Sequence, residues 1–194
     1  MLLSSHRIAV AVSIDVVSRV DKEDLGRPTP CSEWTLADLL AHMTAQHHGF
    51  AAAARGRGAD PAVWRPRPSA DPVADYLAAA DLLLAAFTED GLTDRVFALP
   101  ELATTTFTAE QAVTFHLIDY VVHGWDVSRT IGCSYELDPN VVGLALRIAA
   151  QVPDGPLRRK PGAPFAPALP FTPATTPLDR ILSALGRDPD WCAA

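Results

Sequence analysis

Residues 116–126 read HLIDYVVHGWD, a run in which four polar side chains are interspersed with apolar ones. On an α-helix these polar residues fall at positions i, i+3, i+7 and i+10, on a stripe roughly 80° wide. They are His116, Asp119, His123 and Asp126. The intervening residues are mostly apolar, so the helix is predicted to be buried. Because buried imidazoles and carboxylates are costly unless satisfied, the stripe indicates candidate ligands for zinc or a similar divalent ion.

A further candidate ligand lies on an earlier helix, which is predicted from residue 35 to about residue 54. His42 stands there among apolar residues of helical spacing, toward the predicted inward face, and Gln46 follows one turn later on the same side. Two helices of a bundle that each aim a ligand inward can close a metal site in the core. The two stretches together predict a metal centre between helices.

The composition is that of one compact, acidic domain. The chain has 194 residues, of which 48% are hydrophobic, and a formal net charge of −7. This is enough for a sizeable core, and the negative charge argues against a nucleic-acid surface. The three widely spaced cysteines give no disulfide framework, and no run reaches the roughly 18 apolar residues of a membrane span. We therefore expect a cytoplasmic protein, monomeric or homodimeric, that acts on a small molecule and binds neither nucleic acid nor membranes.

Capping signals and helix breakers divide the chain into six helical segments. Asp138-Pro139 is typical of a helix start, because proline suits the first helical position and aspartate the cap before it. Thr108 with Gln111 three residues later has the pattern of a capping box. The helices are predicted at about residues 2–20, 35–54, 72–91, 109–131, 139–151 and 177–186.

The remaining segments complete the architecture. Residues 92–107 contain strand-forming side chains and are predicted to form an extended crossing or a short hairpin. Residues 152–177 are rich in proline, which excludes regular helix and central strand, so we expect an irregular segment over the bundle surface. The fold class is all-α, an up-and-down four-helix bundle with accessory C-terminal helices. We expect one domain over residues 1–194, with the bundle at about 1–132 and the accessory segment at about 133–194.

Several motifs resemble a known family. Residues 31–42, CSEWTLADLLAH, resemble the entry to the second helix of the mycothiol-dependent maleylpyruvate isomerase N-terminal domain, a branch of the DinB-like metal-binding proteins. Residues 119–126, DYVVHGWD, resemble that family's second signature, and residues 165–191 are similar to the tail of a single-domain actinobacterial subgroup. The resemblance implies a DinB-like four-helix bundle with a divalent metal, zinc or nickel, in its core.

The resemblance also implies roles for single residues. Members use one histidine of the second helix, together with a carboxylate and a histidine four residues apart on a later helix. Those positions fall on His42, Asp119 and His123. Members of known activity often join mycothiol to small molecules or isomerise them with it. The isomerases proper carry Glu where this chain has Asp119 and possess a further C-terminal domain, which favours a reaction other than maleylpyruvate isomerisation here.

The predicted function is that of a metal-dependent thiol S-transferase or isomerase, in which a thiol or water is activated on the metal for attack on a small electrophile. Asp126 and His116 are expected behind the ligands, where they orient them or relay protons. Gln46, His47 and Trp125 are expected to line the pocket. Two alternatives stay open: a non-enzymatic metal-binding or ligand-binding protein, and a biosynthetic enzyme that reuses the pocket for thiol-independent chemistry.

Overall fold

The computed structural model describes residues 1–31, 33–102, 105–160 and 163–193. About half of these residues lie in six α-helices: α1 (Leu2–Val17), α2 (Leu36–Ala54), α3 (Pro72–Ala86), α4 (Ala109–Ile131), α5 (Pro139–Ala149) and α6 (Pro177–Ala184). The strands β1 (Val96–Ala98) and β2 (Thr106–Thr108) form a short antiparallel hairpin before α4. The connections contain short 3₁₀ turns at Lys22–Gly26, Pro61–Trp64, Leu92–Asp94 and Pro156–Arg159.

Helices α1 to α4 form the bundle. Helix α1 packs mainly on α4 and α2 mainly on α3, while smaller contacts between α2 and α4 and between α1 and α3 close the ring. The order around the ring is therefore α1, α4, α2, α3. Helices α5 and α6 pack on each other, and α5 also contacts α1 and α4. The all-α, DinB-like class with accessory C-terminal helices is confirmed.

The helix starts lie where the capping signals predict them. The Thr108 hydroxyl accepts the backbone N–H of Gln111 at 3.2 Å, and the Gln111 side chain accepts the backbone N–H of Thr108 at 2.9 Å. The Asp138 side chain caps α5, whose first residue is Pro139. Helix α4 ends at Gly132, whose φ of 74° lies in the left-handed region that favours glycine. These local interactions satisfy backbone groups that helix termini leave without partners.

Some segment ends differ from the prediction. Helices α1 and α3 end a few residues earlier than predicted. Just beyond their ends, the hydroxyls of Ser18 and Thr88 donate to carbonyls of the preceding turn, a kind of local bond that competes with helix continuation. The stretch predicted as extended, residues 92–107, contributes to the hairpin, although its Thr104 lies outside the described residues. The described residues of the proline-rich segment, 152–160 and 163–176, are irregular apart from the 3₁₀ turn at Pro156–Arg159. Among the described helices, none combines the length and apolarity that crossing a membrane requires.

Gly49 of α2 lies directly against the indole of Trp64. A Cβ at this glycine would lie 2.2 Å from the indole ring, which is itself buried and donates to the carbonyl of Gly58 at 2.8 Å. We expect Gly49→Ala to destabilise the protein by about 1–3 kcal/mol through overpacking, measured by thermal unfolding. Gly143→Ala is the matched control, since its nearest neighbour is 3.9 Å away, and it should be neutral or slightly stabilising. Equal unfolding temperatures for the two variants would contradict this packing argument.

Candidate metal centre

His42 of α2 converges with Asp119 and His123 of α4 between the two helices. One potential ligand atom from each residue lies within 4.8 Å of the other two. His123 Nε2 is 3.4 Å from Asp119 Oδ1, and the ring centroids of His42 and His123 are 5.2 Å apart. Residues four apart are neighbours on a helix, which explains how α4 presents two of the groups together. Helix α2, packed on α4, adds the third.

The donor set fits a small divalent ion. Two imidazole nitrogens and one carboxylate oxygen form the ligand set of many catalytic zinc sites, in which a fourth position stays open. In tetrahedral coordination with bonds near 2.1 Å, two ligand atoms lie about 3.4 Å apart. The separation between His123 Nε2 and Asp119 Oδ1 has this value. These three residues are therefore chemically and geometrically able to hold zinc or nickel, and their assignment as ligands stays a prediction.

A buried chain of charged groups stands behind His123. Its Nδ1 lies 2.9 Å from Asp126 Oδ2, and the role of Asp126 in orienting a metal ligand stays a prediction. The guanidinium of Arg187 donates to both oxygens of the same carboxylate at 3.0–3.2 Å. Because the carboxylate accepts the proton on Nδ1, the lone pair of a neutral His123 lies on Nε2, which faces Asp119. Asp126 thereby selects the tautomer that a metal ligand requires.

Opposing effects set the ionisation of the three candidate ligands. Burial, together with the nearby His123, lowers the pKa of His42 to about 4. Burial also acts to lower the pKa of His123, but Asp119 and Asp126 outweigh it and raise that pKa to about 9. Burial alone would raise the pKa of Asp119, yet the positive charge on His123 keeps it below its usual range. Asp119 is thus ionised beside a protonated His123, and a divalent cation competes with that proton for the same place.

Two residues of the loop before α2 border the site. The Trp34 ring lies with its centroid 4.8 Å from that of His42 and 6.3 Å from that of His123, so it covers these imidazoles on one side. The side chain of Asp119 is 21% exposed and marks the open side. Burial raises the pKa of Cys31 to about 11. Its thiol therefore stays protonated at neutral pH and is a poor nucleophile.

His116 and His47 belong to a separate buried chain of imidazoles. His116 Nδ1 lies 2.9 Å from His6 Nε2, and His116 Nε2 lies 3.2 Å from His47 Nδ1. The ring of Tyr120 stacks on both His116 and His47, with centroid separations of 4.0 and 4.2 Å. The expected placement of these two histidines needs correction: His116 hydrogen-bonds other core imidazoles instead of a ligand, and His47 is enclosed in the core instead of lining an open pocket.

The structure places Gln46 and Trp125 in contacts of their own. Gln46 Nε2 donates to Glu101 Oε2 at 2.7 Å, which links α2 to the segment after β1. Trp125 is buried, and the guanidinium of Arg129 lies 5.8 Å from its ring centroid. Neither of these contacts involves the three candidate ligands. Their role in lining a pocket stays a prediction.

The sequence interpretation missed two residues of these chains, His6 and Arg187. His6 has a recognisable signal, because Val10 and Ser13 follow it at helical spacing and are buried on the same side of α1. Arg187 has none, because it follows the last helix and reaches Asp126 only through the tertiary fold. Periodicity could have found the first residue but not the second.

The chain is similar to a family of known proteins. A sequence profile described as the mycothiol maleylpyruvate isomerase N-terminal domain matches residues 6–128. Uncharacterised proteins from two strains of Mycobacterium tuberculosis are each 32% identical over 187 residues, which is 95% of this chain and 97% of theirs. The crystal structures of the mycothiol-dependent maleylpyruvate isomerase and of a point mutant of it align with TM-scores of 0.57 and 0.58. Their sequences are 15% and 13% identical to this chain, and each alignment covers 77% of this chain and 68% of the isomerase chain. This likeness shows a shared fold.

Proposed function

The chain belongs to the family of the mycothiol maleylpyruvate isomerase N-terminal domain, and on this premise we propose that it is a divalent-metal-dependent enzyme that uses mycothiol to transform a small electrophile by transfer or isomerisation. One observation carries the proposal: ligand atoms of His42, Asp119 and His123 lie within 4.8 Å of one another. These residues would hold zinc or nickel. When bound, the ion would supply the positive charge that stabilises the thiolate form of the co-substrate.

The charges of the site favour an anionic co-substrate. As ligands, His42 and His123 are neutral and Asp119 contributes one negative charge, so a divalent ion in this set leaves a single net positive charge. Arg187 neutralises Asp126, so the buried chain behind His123 adds no further charge. A thiolate entering the site therefore meets a net attraction in a largely buried environment, where electrostatic interactions are strong.

The walls of the site suggest how a substrate approaches. The half-buried Trp34 covers His42 on one side, and its ring would offer a flat apolar surface to a substrate. The partly exposed Asp119 marks the side from which a small molecule would enter. The arrangement supports a small electrophile that lies between this wall and the thiol.

The thiol-dependent conversion of an electrophile should depend on the metal ion. Protein stripped with a chelator and reloaded with Zn²⁺ or Ni²⁺ would be incubated with mycothiol and a panel of small electrophiles. Both the free thiol and the unconverted electrophile would be measured over time, because an isomerisation regenerates the thiol. We expect the loaded protein to accelerate loss of the electrophile at least about a hundredfold over the solution reaction, with an equal loss of thiol where the reaction is a transfer, and the stripped protein to show no acceleration. Metal binding without turnover across the panel would favour a non-enzymatic binding protein. Turnover that survives removal of the metal would reject the proposed chemistry.

A further inference from the structure

We propose that Arg187 is a positioning residue of the metal centre, contributed by the C-terminal segment from outside the family-matched residues 6–128. It fixes the carboxylate of Asp126, and that carboxylate fixes the imidazole of His123. The inference rests on the proposed function, since it assigns Arg187 a role in metal binding.

The end of α6 determines where Arg187 lies. Gly186 has a φ of 75°, in the left-handed region. Its N–H donates to the carbonyl of Ser183 at 3.1 Å, and the N–H of Arg187 donates to the carbonyl of Leu182 at 2.8 Å. This pair of hydrogen bonds around a left-handed glycine is the Schellman motif. A Cβ at Gly186 would lie 2.6 Å from the carbonyl oxygen of Ala166. Only glycine therefore allows this tight helix end, from which the arginine side chain reaches α4.

The planar guanidinium of Arg187 uses two of its nitrogens to contact both oxygens of the Asp126 carboxylate. Arg187 Nε lies 3.0 Å from Asp126 Oδ1 and 3.2 Å from Oδ2, and Nη2 lies 3.2 Å from Oδ2. Arg187 is only 4% exposed and Asp126 is fully buried. A paired geometry of this kind restricts rotation of the carboxylate more than a single hydrogen bond does.

The restricted carboxylate in turn restricts His123. Asp126 Oδ2, held by two nitrogens of Arg187, lies 2.9 Å from His123 Nδ1. Because Nδ1 is hydrogen-bonded to Asp126, the imidazole ring is oriented with Nε2 on the side of Asp119. Groups that orient a metal-ligating histidine in this way typically contribute 10–100-fold to metal affinity. Arg187 acts one step further out, through the carboxylate of Asp126.

Arg158 provides a matched control. It lies in the same C-terminal part of the chain, is 8% exposed, and donates hydrogen bonds to backbone carbonyls of Val152, Pro153 and Ala184. Its substitution removes buried hydrogen bonds of the accessory segment, as substitution of Arg187 does, but none of these bonds leads to a candidate ligand. A purely structural role for Arg187 predicts that the two variants behave alike.

The test measures Co²⁺ affinity by competition with a chelator, together with the visible absorption of the Co²⁺-loaded protein. We expect Arg187→Met to bind Co²⁺ about 10–100-fold more weakly than the wild type and to show an altered absorption spectrum. Arg187→Lys, which keeps the charge but not the planar fork, should be intermediate. Arg158→Met should keep the wild-type affinity and spectrum even if its unfolding temperature falls.

Gly186→Ala is a second route to the same result, because it displaces Arg187 without changing it and should also weaken Co²⁺ binding. If Arg187→Met does not fold, the Co²⁺ affinities of Gly186→Ala and Arg187→Lys provide the test instead. Tight Co²⁺ binding by the wild type with equal affinity in the folded Arg187 variants overturns the positioning role and leaves the metal site standing. Absence of Co²⁺ binding by the wild type overturns the metal site itself, and the positioning role with it.

Discussion

Replacing His42 or His123 by alanine is expected to abolish tight binding of a divalent ion. Each substitution removes one of only three candidate ligands, so the affinity should fall by more than the roughly 10–100-fold typical of residues that merely orient a ligand. Elemental analysis should give about one ion per wild-type chain and almost none per variant chain. A thermal-shift measurement adds a second readout: an ion at about 100 times its dissociation constant stabilises a folded protein by about 2.7 kcal/mol, and the variants should lack this gain.

His48→Ala is the matched control for these two variants. His48 lies on the same helix as His42 but is exposed to solvent, so its loss should leave metal content and stabilisation unchanged. Asp119→Asn should weaken binding without abolishing it, because the amide oxygen keeps the shape of the ligand but loses its charge. Full metal content in both His42→Ala and His123→Ala would show that the ion binds elsewhere in the protein.

The helices could be read from the sequence because local chemistry determines where they begin and end. Thr108 and Gln111 form the predicted capping box, and Asp138-Pro139 starts α5 as predicted. Each signal acts within a few residues, so no knowledge of the tertiary fold is needed. The convergence of His42 with α4 could also be anticipated, since a buried polar group on each of two helices requires a common partner.

The surroundings of single side chains on α2 were harder to predict. The sequence places Gln46 and His47 beside the pocket, but α2 is buried around most of its circumference, from Leu36 through Ala54. A helix that is covered on nearly all sides has no single inward face, so periodicity identifies the helix without telling which neighbour each side chain meets. His47 consequently faces His116 and the core, whereas His42, five residues earlier, faces the candidate metal site.

The arrangement of the elements in space was also beyond local signals. Helices α1 and α2 follow each other in the chain, yet each packs mainly on another partner, α1 on α4 and α2 on α3. The contact between Arg187 and Asp126 joins residues 61 positions apart. Neither the helix partners nor this contact can be predicted from residue spacing or capping patterns, because both depend on how complete helices pack.

The buried imidazole chain connects the helices that hold the candidate ligands. His47 is on α2 and His116 on α4, the helices of His42 and His123, and His6 adds α1 to the same hydrogen-bonded chain. Each neutral imidazole has one donor and one acceptor nitrogen, so a chain of three can be satisfied internally except at its ends. A proton added to this chain would be a buried charge without a counter-ion in direct contact. The chain therefore stabilises the bundle only while it stays neutral.

Acidification from pH 6.5 to 5 is therefore expected to destabilise the protein steeply. Burial lowers the pKa of His6 to about 3 and also lowers the pKa values of His47 and His116, which neighbouring imidazoles lower further. In the unfolded chain a histidine titrates near pH 6.5. Below that pH the unfolded state binds protons that the folded core excludes, so stability is fully present above pH 6.5 and falls as the pH decreases. Each such group contributes about 1.4 kcal/mol per pH unit, or about 2 kcal/mol at pH 5.

His6→Leu isolates one of these contributions. Urea unfolding of the metal-free protein at pH 7, 6 and 5 should show a total loss of stability between pH 7 and pH 5 that is smaller than that of the wild type by about 2 kcal/mol. At pH 7 the variant should be less stable by about 1–3 kcal/mol, because His116 Nδ1 loses its partner. This pH window lies above the usual titration range of carboxylates. A His6→Leu slope equal to that of the wild type would mean that the core accepts the proton, and the burial argument for the imidazole chain would be wrong.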